Sequence, residues 1–188
     1  MSTIGDLLDT IELDNGYQIL IYPDPEAENP REWDNFGKML CVHGRYELGD
    51  QHRDVSPDDA DSWESLMQLV EDQLGGVIAL PMYMLDHSGL RISTEDFGDP
   101  WDSGQIGYVY VPVSKVIAEY GELSDEVQQK VLETLKAEVA VYDSYVSGGA
   151  VRYELIGPGG EQVEAVGGFY SQDDAEADAR SQVPSDEE

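Results

Sequence analysis

The sequence predicts an α+β fold, a single domain in which a mainly antiparallel sheet is packed by two substantial helices on one face. Three observations predict it. Runs rich in β-branched and aromatic residues recur at strand length: 17–22, 77–85, 106–111 and the two arms around Gly157-Pro158-Gly159-Gly160. Two other stretches, 63–74 and 127–146, carry apolar residues at helical spacing. Strands and helices do not alternate regularly, which argues against a parallel βαβ sheet.

Each element follows from local chemistry. Tyr17-Gln18-Ile19-Leu20-Ile21-Tyr22 reads as a strand that Pro23-Asp24-Pro25 breaks. Glu26 to Arg31 reads as loop. Met39-Leu40-Cys41-Val42 suits a short buried strand, and Gly44 to Val55 reads as irregular. Ser56-Pro57-Asp58-Asp59 is a helix start: a capping hydroxyl, a proline at the first helical position and two acids at the positive end of the dipole. Trp63, Leu66, Met67, Val70 and Leu74 continue it, and Gly75-Gly76 ends it. Val77 to Leu85 reads as a buried strand, with Pro81 marking an edge or a bulge. Asp86-His87-Ser88-Gly89 turns the chain into a second arm at Leu90-Arg91-Ile92-Ser93. Phe97 to Gln105 is a loop and Ile106 to Val111 a strand.

Ser114 caps a short helix that ends at Gly121. Ser124 caps the longest helix, whose apolar stripe is Val127, Val131, Leu135, Val139, Tyr142 and Val146. Gly148-Gly149 stops it. Val151–Ile156 and Gln162–Tyr170 form a hairpin. From Ser171 onward there are seven acids, one base and no apolar periodicity. The expected organisation is one α+β domain over 1–170 and an acidic disordered tail over 171–188.

The charge bounds the function. Forty acids stand against ten bases in 188 residues, a net charge of −30. Such a chain lacks the Lys and Arg that displace counterions from nucleic acid, so no direct nucleic-acid binding is expected. Docking on anionic membranes is disfavoured for the same reason. No apolar run is long enough to span a bilayer. Met1-Ser2-Thr3-Ile4-Gly5-Asp6 lacks the basic and apolar regions of a signal peptide. Cys41, the single cysteine, cannot form an internal disulfide and reads as a buried hydrophobe. These features predict a cytoplasmic protein. Self-repulsion on this scale is costly in dilute salt and screened in concentrated salt, which predicts a halophilic cytoplasm. The competing reading is a DNA mimic whose carboxylates imitate phosphates.

Three loops gather polar and aromatic residues: Asn29 to Asn35 with His43 beyond it, Asp86 to Gly89, and Pro100 to Gln105. Loops on a rigid scaffold commonly carry function. The candidate polar site is Arg31, Trp33, Asp34, His43, Asp86, His87, Ser88, Trp101, Asp102, Ser103 and Gln105. Trp33, Asp34, Asp86, His87, Trp101 and Asp102 are expected to converge at one end of the sheet. Within that set Asp34, His43, Asp86, His87 and Asp102 are the types that bind a divalent metal, which could activate water. No HExxH, paired CxxC or EF-hand spacing accompanies them. The competing reading is scaffolding: the aspartates hold Asx turns, and Trp33 and Trp101 anchor loops to the core. No GxSxG is present, and Gly157-Pro158-Gly159-Gly160 lacks the lysine of a phosphate loop. Glu138 and Asp143 read as the solvated face of the long helix. Arg31 reads as the partner of a carboxylate or of an anionic ligand. No residue is assigned as catalytic.

Several of these strings resemble an uncharacterised family of phage, archaeal-virus and plasmid proteins. The matching stretches are Asn-Pro-Arg-Glu-Trp-Asp-Asn at 29–35, Arg-Tyr-Glu-Leu-Gly-Asp at 45–50, Asp-His-Ser-Gly at 86–89, Trp-Asp-Ser-Gly-Gln-Ile-Gly-Tyr at 101–108, Glu138 with Tyr142-Asp143, and Gly-Phe-Tyr at 168–170. The chain departs from the pattern at Gly167, where the family carries a tryptophan. The resemblance implies a mobile-element accessory protein and supplies no activity. Together with the charge it leads to the expectation of a non-catalytic accessory protein of a haloarchaeal virus or mobile element that binds a host protein, for instance a defence component. Two alternatives stand beside it: a small metal-dependent hydrolase using the loop Asp and His residues, and a virion structural component.

Overall fold

The computed structural model describes residues 6–50 and 60–184. In chain order the elements are β1 (Asp9–Glu12), β2 (Gln18–Pro23), a 3-10 turn (Pro30–Glu32), β3 (Lys38–Cys41), α1 (Trp63–Leu74), β4 (Val77–Asp86), β5 (Leu90–Ser93), β6 (Ser103–Pro112), α2 (Val113–Tyr120), α3 (Asp125–Val146), β7 (Val151–Ile156), β8 (Gln162–Phe169) and α4 (Gln172–Ser181). The fold is α+β, as expected, and every strand pairing is antiparallel. The strands divide between two four-stranded sheets. By their contacts the residues form two compact units, one of Met1–Pro30 with Ser144–Glu188, the other Arg31–Asp143.

The first unit is the sheet β1-β2-β7-β8 with α4 packed on it. Alternation sends Ile19, Ile21, Val151, Tyr153 and Leu155 to one face, where all are buried. Ala175 and Ala179 of α4 lie on that face, both fully buried. Their spacing of four puts two methyl groups on one helix face, so the helix backbone can approach the sheet closely. Ser171 caps the helix through Asp174 N–H, and the Tyr153 hydroxyl donates to Asp178 at 2.8 Å. Burial first and Asp178 second push the Tyr153 phenol upward from its ordinary value. The expected disordered tail is therefore corrected over 172–181. Alanine contributes little hydropathy, so a stripe of alanines among acids has no visible periodicity. The apolar surface that recruits this helix belongs to the sheet. The strand β1 also escapes the sequence reading, because an edge strand of Asp-Thr-Ile-Glu shows only one large apolar residue.

The second unit is the sheet β3-β6-β4-β5. Leu40 and Tyr110 pack with Leu66 and Val70 of α1, and Trp63 meets Tyr108 edge-on, 6.4 Å between ring centroids. Alternation turns Met39 and Val109 to the opposite face. There Leu135 of α3 lies against Gly37 beside Val109, so helices cover both faces of this sheet. The α3 stripe is as expected: Val127, Val131, Leu135, Val139 and Tyr142 are buried. The expected helix start at Ser56 lies outside the described residues. α1 itself begins at Trp63, capped by Ser62 in a reciprocal box with Ser65. It ends at Gly75 in the left-handed region (φ 74°). α2 is preceded by Pro112 rather than capped by Ser114. Pro81 sits just before a register shift between Met82 and Tyr83, the bulge that its missing N–H suggests. At Gly107 a Cβ would run into the Leu40 carbonyl, so β3 and β6 can pair there only with glycine.

Candidate functional site

The site forms where β4 ends and β6 begins. Asp86 N–H donates to the Asp102 carbonyl at 2.9 Å, which sets the two residues side by side. Asp99 shapes the approach to β6. Its carboxylate accepts the amides of Trp101 (2.8 Å) and Asp102 (2.9 Å), and Ser103 Oγ donates to its carbonyl. The Asp102 and Trp101 amides hold the Asp99 carboxyl below its usual range. This Asx arrangement is the scaffolding expected of a loop aspartate. Its consequence is the opposite of anchoring for the neighbouring ring: Trp101 is 90% exposed. The expectation that Trp101 anchors its loop to the core is thus corrected.

His87 follows Asp86 in the β4–β5 turn. Its Nδ1 lies 2.6 Å from Asp102 Oδ2. An ionised carboxylate only accepts, so Nδ1 carries the proton and donates. The hydrogen bond to Asp102, then its charge, raises the His87 pKa above the ordinary histidine value. Ser88 takes the tip of this turn at φ 59°. It shapes the hairpin and does not line the cavity described next.

The third contribution comes from the segment after β3. His43 Nδ1 accepts the amides of Arg45 and Tyr46, both at 3.3 Å, which leaves its proton on Nε2 when neutral. The His43 ring stacks on Tyr46 at 5.3 Å. Tyr46 Oη donates to Asp86 Oδ2 at 2.9 Å, and Arg45 Nη1 donates to the same oxygen at 3.1 Å. A cavity of about 370 Å³ results. Met84 and Ile106, both buried, contribute its apolar surface. His43, Arg45, Asp86, Trp101, Asp102, Ser103 and Gln105 line the rest. Arg45 and Tyr46 were missed as site residues because they sit in a polar stretch with no regular spacing.

The structure therefore brings together His43, Asp86, His87, Trp101, Asp102, Ser103 and Gln105. Trp33 and Asp34 do not join them: both are exposed in the loop before β3, and neither lines the cavity. Arg31 belongs elsewhere. Its Nε and Nη2 grip Asp50 at 2.9 and 2.7 Å, its Nη2 also donates to the Gly37 carbonyl, and its Nη1 reaches Glu138 at 3.4 Å. Of its two readings, pairing with carboxylates is the one observed.

Nor are Glu138 and Asp143 a solvated face. Glu138 accepts the amides of Phe36 (2.7 Å) and Gly37. Asp143 accepts the Ile92 amide (2.7 Å) and pairs with Arg91. Between them Tyr142 Oη accepts the Gly49 amide at 2.9 Å. One polar row of α3 thus fastens three segments of this unit. Cys41 is a free, half-buried thiol whose burial pushes its pKa up to about 12, unsuited to a nucleophile.

Among the described residues, no group of three or more His, Cys, Asp or Glu is placed to hold a metal ion. The metal candidates Asp34, His43, Asp86, His87 and Asp102 do not converge on one point: Asp34 does not line the cavity, and His43 Nδ1 is engaged by backbone amides. No described helix is long and apolar enough to cross a membrane. No family model matches the chain, and neither a curated protein nor a solved structure does.

Proposed function

We propose that this is a non-catalytic accessory protein of a haloarchaeal virus or mobile element that acts in the host cytoplasm by binding a host protein, for instance a defence component. The observation that carries the reading is Trp101, 90% exposed at the rim of a preformed cavity. A large ring held out in water by a rigid Asx turn has no role in the core of its own unit. Arg45 and Tyr46 both donate to Asp86, which lines the same cavity as Trp101. Trp, Tyr and Arg are the residue types that dominate binding hot spots. The charge of −30 supports a salt-rich cytoplasm. The resemblance of several strings to those of phage, archaeal-virus and plasmid proteins is what favours the mobile-element origin. The test is affinity capture from a haloarchaeal host extract in concentrated KCl with the wild-type chain and with Trp101→Ala. The reading expects a host protein that the wild type retains and the variant loses.

One observation favours a second reading. Asp102 orients His87 so that Nε2 faces outward, the arrangement of a general base in a small hydrolase. No group of metal ligands accompanies it among the described residues. If hydrolysis is the function, His87→Ala abolishes it; if binding is, Trp101→Ala has the larger effect.

A further inference from the structure

Two carboxylate oxygens in the Trp101 cavity lack a donor. Asp86 accepts both Arg45 and Tyr46 on Oδ2, and Asp102 accepts His87 on Oδ2. Among the described residues nothing donates to Oδ1 of either. Both side chains are partly exposed (31% and 39%), so these oxygens are open to a donor from outside the unit. Trp101 borders the same cavity with its indole uncovered, and an indole face attracts cations. The local charges agree: Asp86, Asp99 and Asp102 outnumber Arg45 and His87.

The geometry points to a seat for one arginine side chain of a basic partner protein, held between the Asp86 and Asp102 carboxylates with its guanidinium plane on the Trp101 indole. Arginine suits the seat better than lysine, because its planar fork donates to carboxylates while its face stacks on a ring. A volume of about 370 Å³ is in the range of sites that enclose small ligands. This inference rests on the protein-binding reading and adds the chemistry of the partner.

The test titrates the full chain with three blocked peptides of equal length, in which glycine alternates with arginine, with citrulline or with glutamate. Citrulline keeps the shape of arginine and removes the charge. The titration runs in about 1 M KCl, where the screening length is about 3 Å and the general field of the protein is suppressed. Binding is read from the Trp101 indole N–H resonance. The expected result is that the arginine peptide shifts this resonance and binds at least about tenfold more tightly than the citrulline peptide. Asp86→Asn and Asp102→Asn should each weaken it, whereas Glu119→Gln with Glu133→Gln, exposed acids of the same unit, should not. Equal binding of arginine and citrulline peptides, preference for glutamate, no binding of the arginine peptide, or equal weakening by the Glu119/Glu133 control overturns the inference. A host protein that depends on Trp101 but not on Asp86 or Asp102 would overturn the arginine seat and leave the protein-binding reading standing.

Discussion

Arg31 and Glu138 lie 107 positions apart in the chain and meet at 3.4 Å, with the Arg31 side chain only 4% exposed. The same guanidinium is gripped at two points by Asp50, and Glu138 turns its oxygens on the amides of Phe36 and Gly37. In the second unit, this cluster ties the loop before β3, the segment after it and α3 together. It is scaffold, separate from the Trp101 cavity.

Removing one member should therefore cost stability and spare the site. Arg31→Ala leaves two carboxylates facing each other without their cation, a loss of about 3–5 kcal/mol for a buried pair that is broken on one side. Arg31→Lys should lose less and still not recover the wild type, because an ammonium cannot fork onto Asp50. Urea unfolding at constant KCl measures the loss. Under conditions where the variant remains folded, the Trp101 indole resonance should be unmoved.

The His87–Asp102 contact should respond to pH with a definite sign. Asp102 raises the folded-state pKa of His87 above its unfolded value. The contact is then fully formed below the unfolded value, about 6.5, and weakens as pH rises through the raised folded value. An NMR titration of the His87 ring should show the raised midpoint. Asp102→Asn should bring it down toward that of an ordinary histidine, and an unchanged midpoint would refute the coupling.

Deleting the chain beyond Tyr170 should be damaging. Ala175 and Ala179 cover a face formed by Ile19, Ile21, Tyr153 and Leu155. Uncovering two large side chains costs on the order of 3 kcal/mol or more. Loss of solubility or a lower thermal midpoint for the truncated chain checks this, and Ala179→Glu should reproduce part of the effect.

Gly107→Ala should disrupt the β3–β6 pairing, because the new methyl group meets the Leu40 carbonyl, which is backbone and cannot rotate away. The cost should fall at or above the upper end of the range of about 1–3 kcal/mol for overpacking. Hydrogen exchange of the Met39 and Cys41 amides should accelerate more than that of the β7 amides.

Much of the fold is legible in the residues themselves. Gly75 and Gly121 end helices where their left-handed conformation is needed (φ 74° and 81°). Pro81 marks its bulge, and the α3 stripe follows its spacing. What is illegible depends on partners distant in sequence. α4 shows no periodicity because its buried face is alanine and the driving surface lies on β2 and β7. Glu138 and Asp143 look like ordinary helix acids, since the amides they accept come from residues about 101 and 51 positions away. The site is half legible for the same reason. Asp86, His87, Trp101 and Asp102 converge because β4 and β6 are neighbours, whereas Trp33 and Asp34 precede a strand on the far side of β6. That Trp101 points into water could not be read from its type, because tryptophan in a loop more often packs inward.

Docking of a partner at Trp101 is measured by the affinity of the captured host protein for the wild-type chain and for Trp101→Ala, by calorimetry in the same concentrated KCl. A hot-spot ring costs about 2 kcal/mol or more when truncated, so the variant should bind at least about thirtyfold more weakly with an unchanged melting temperature, since an exposed ring contributes little to folding. Equal affinity of wild type and variant would show that the Trp101 face is not where the partner docks.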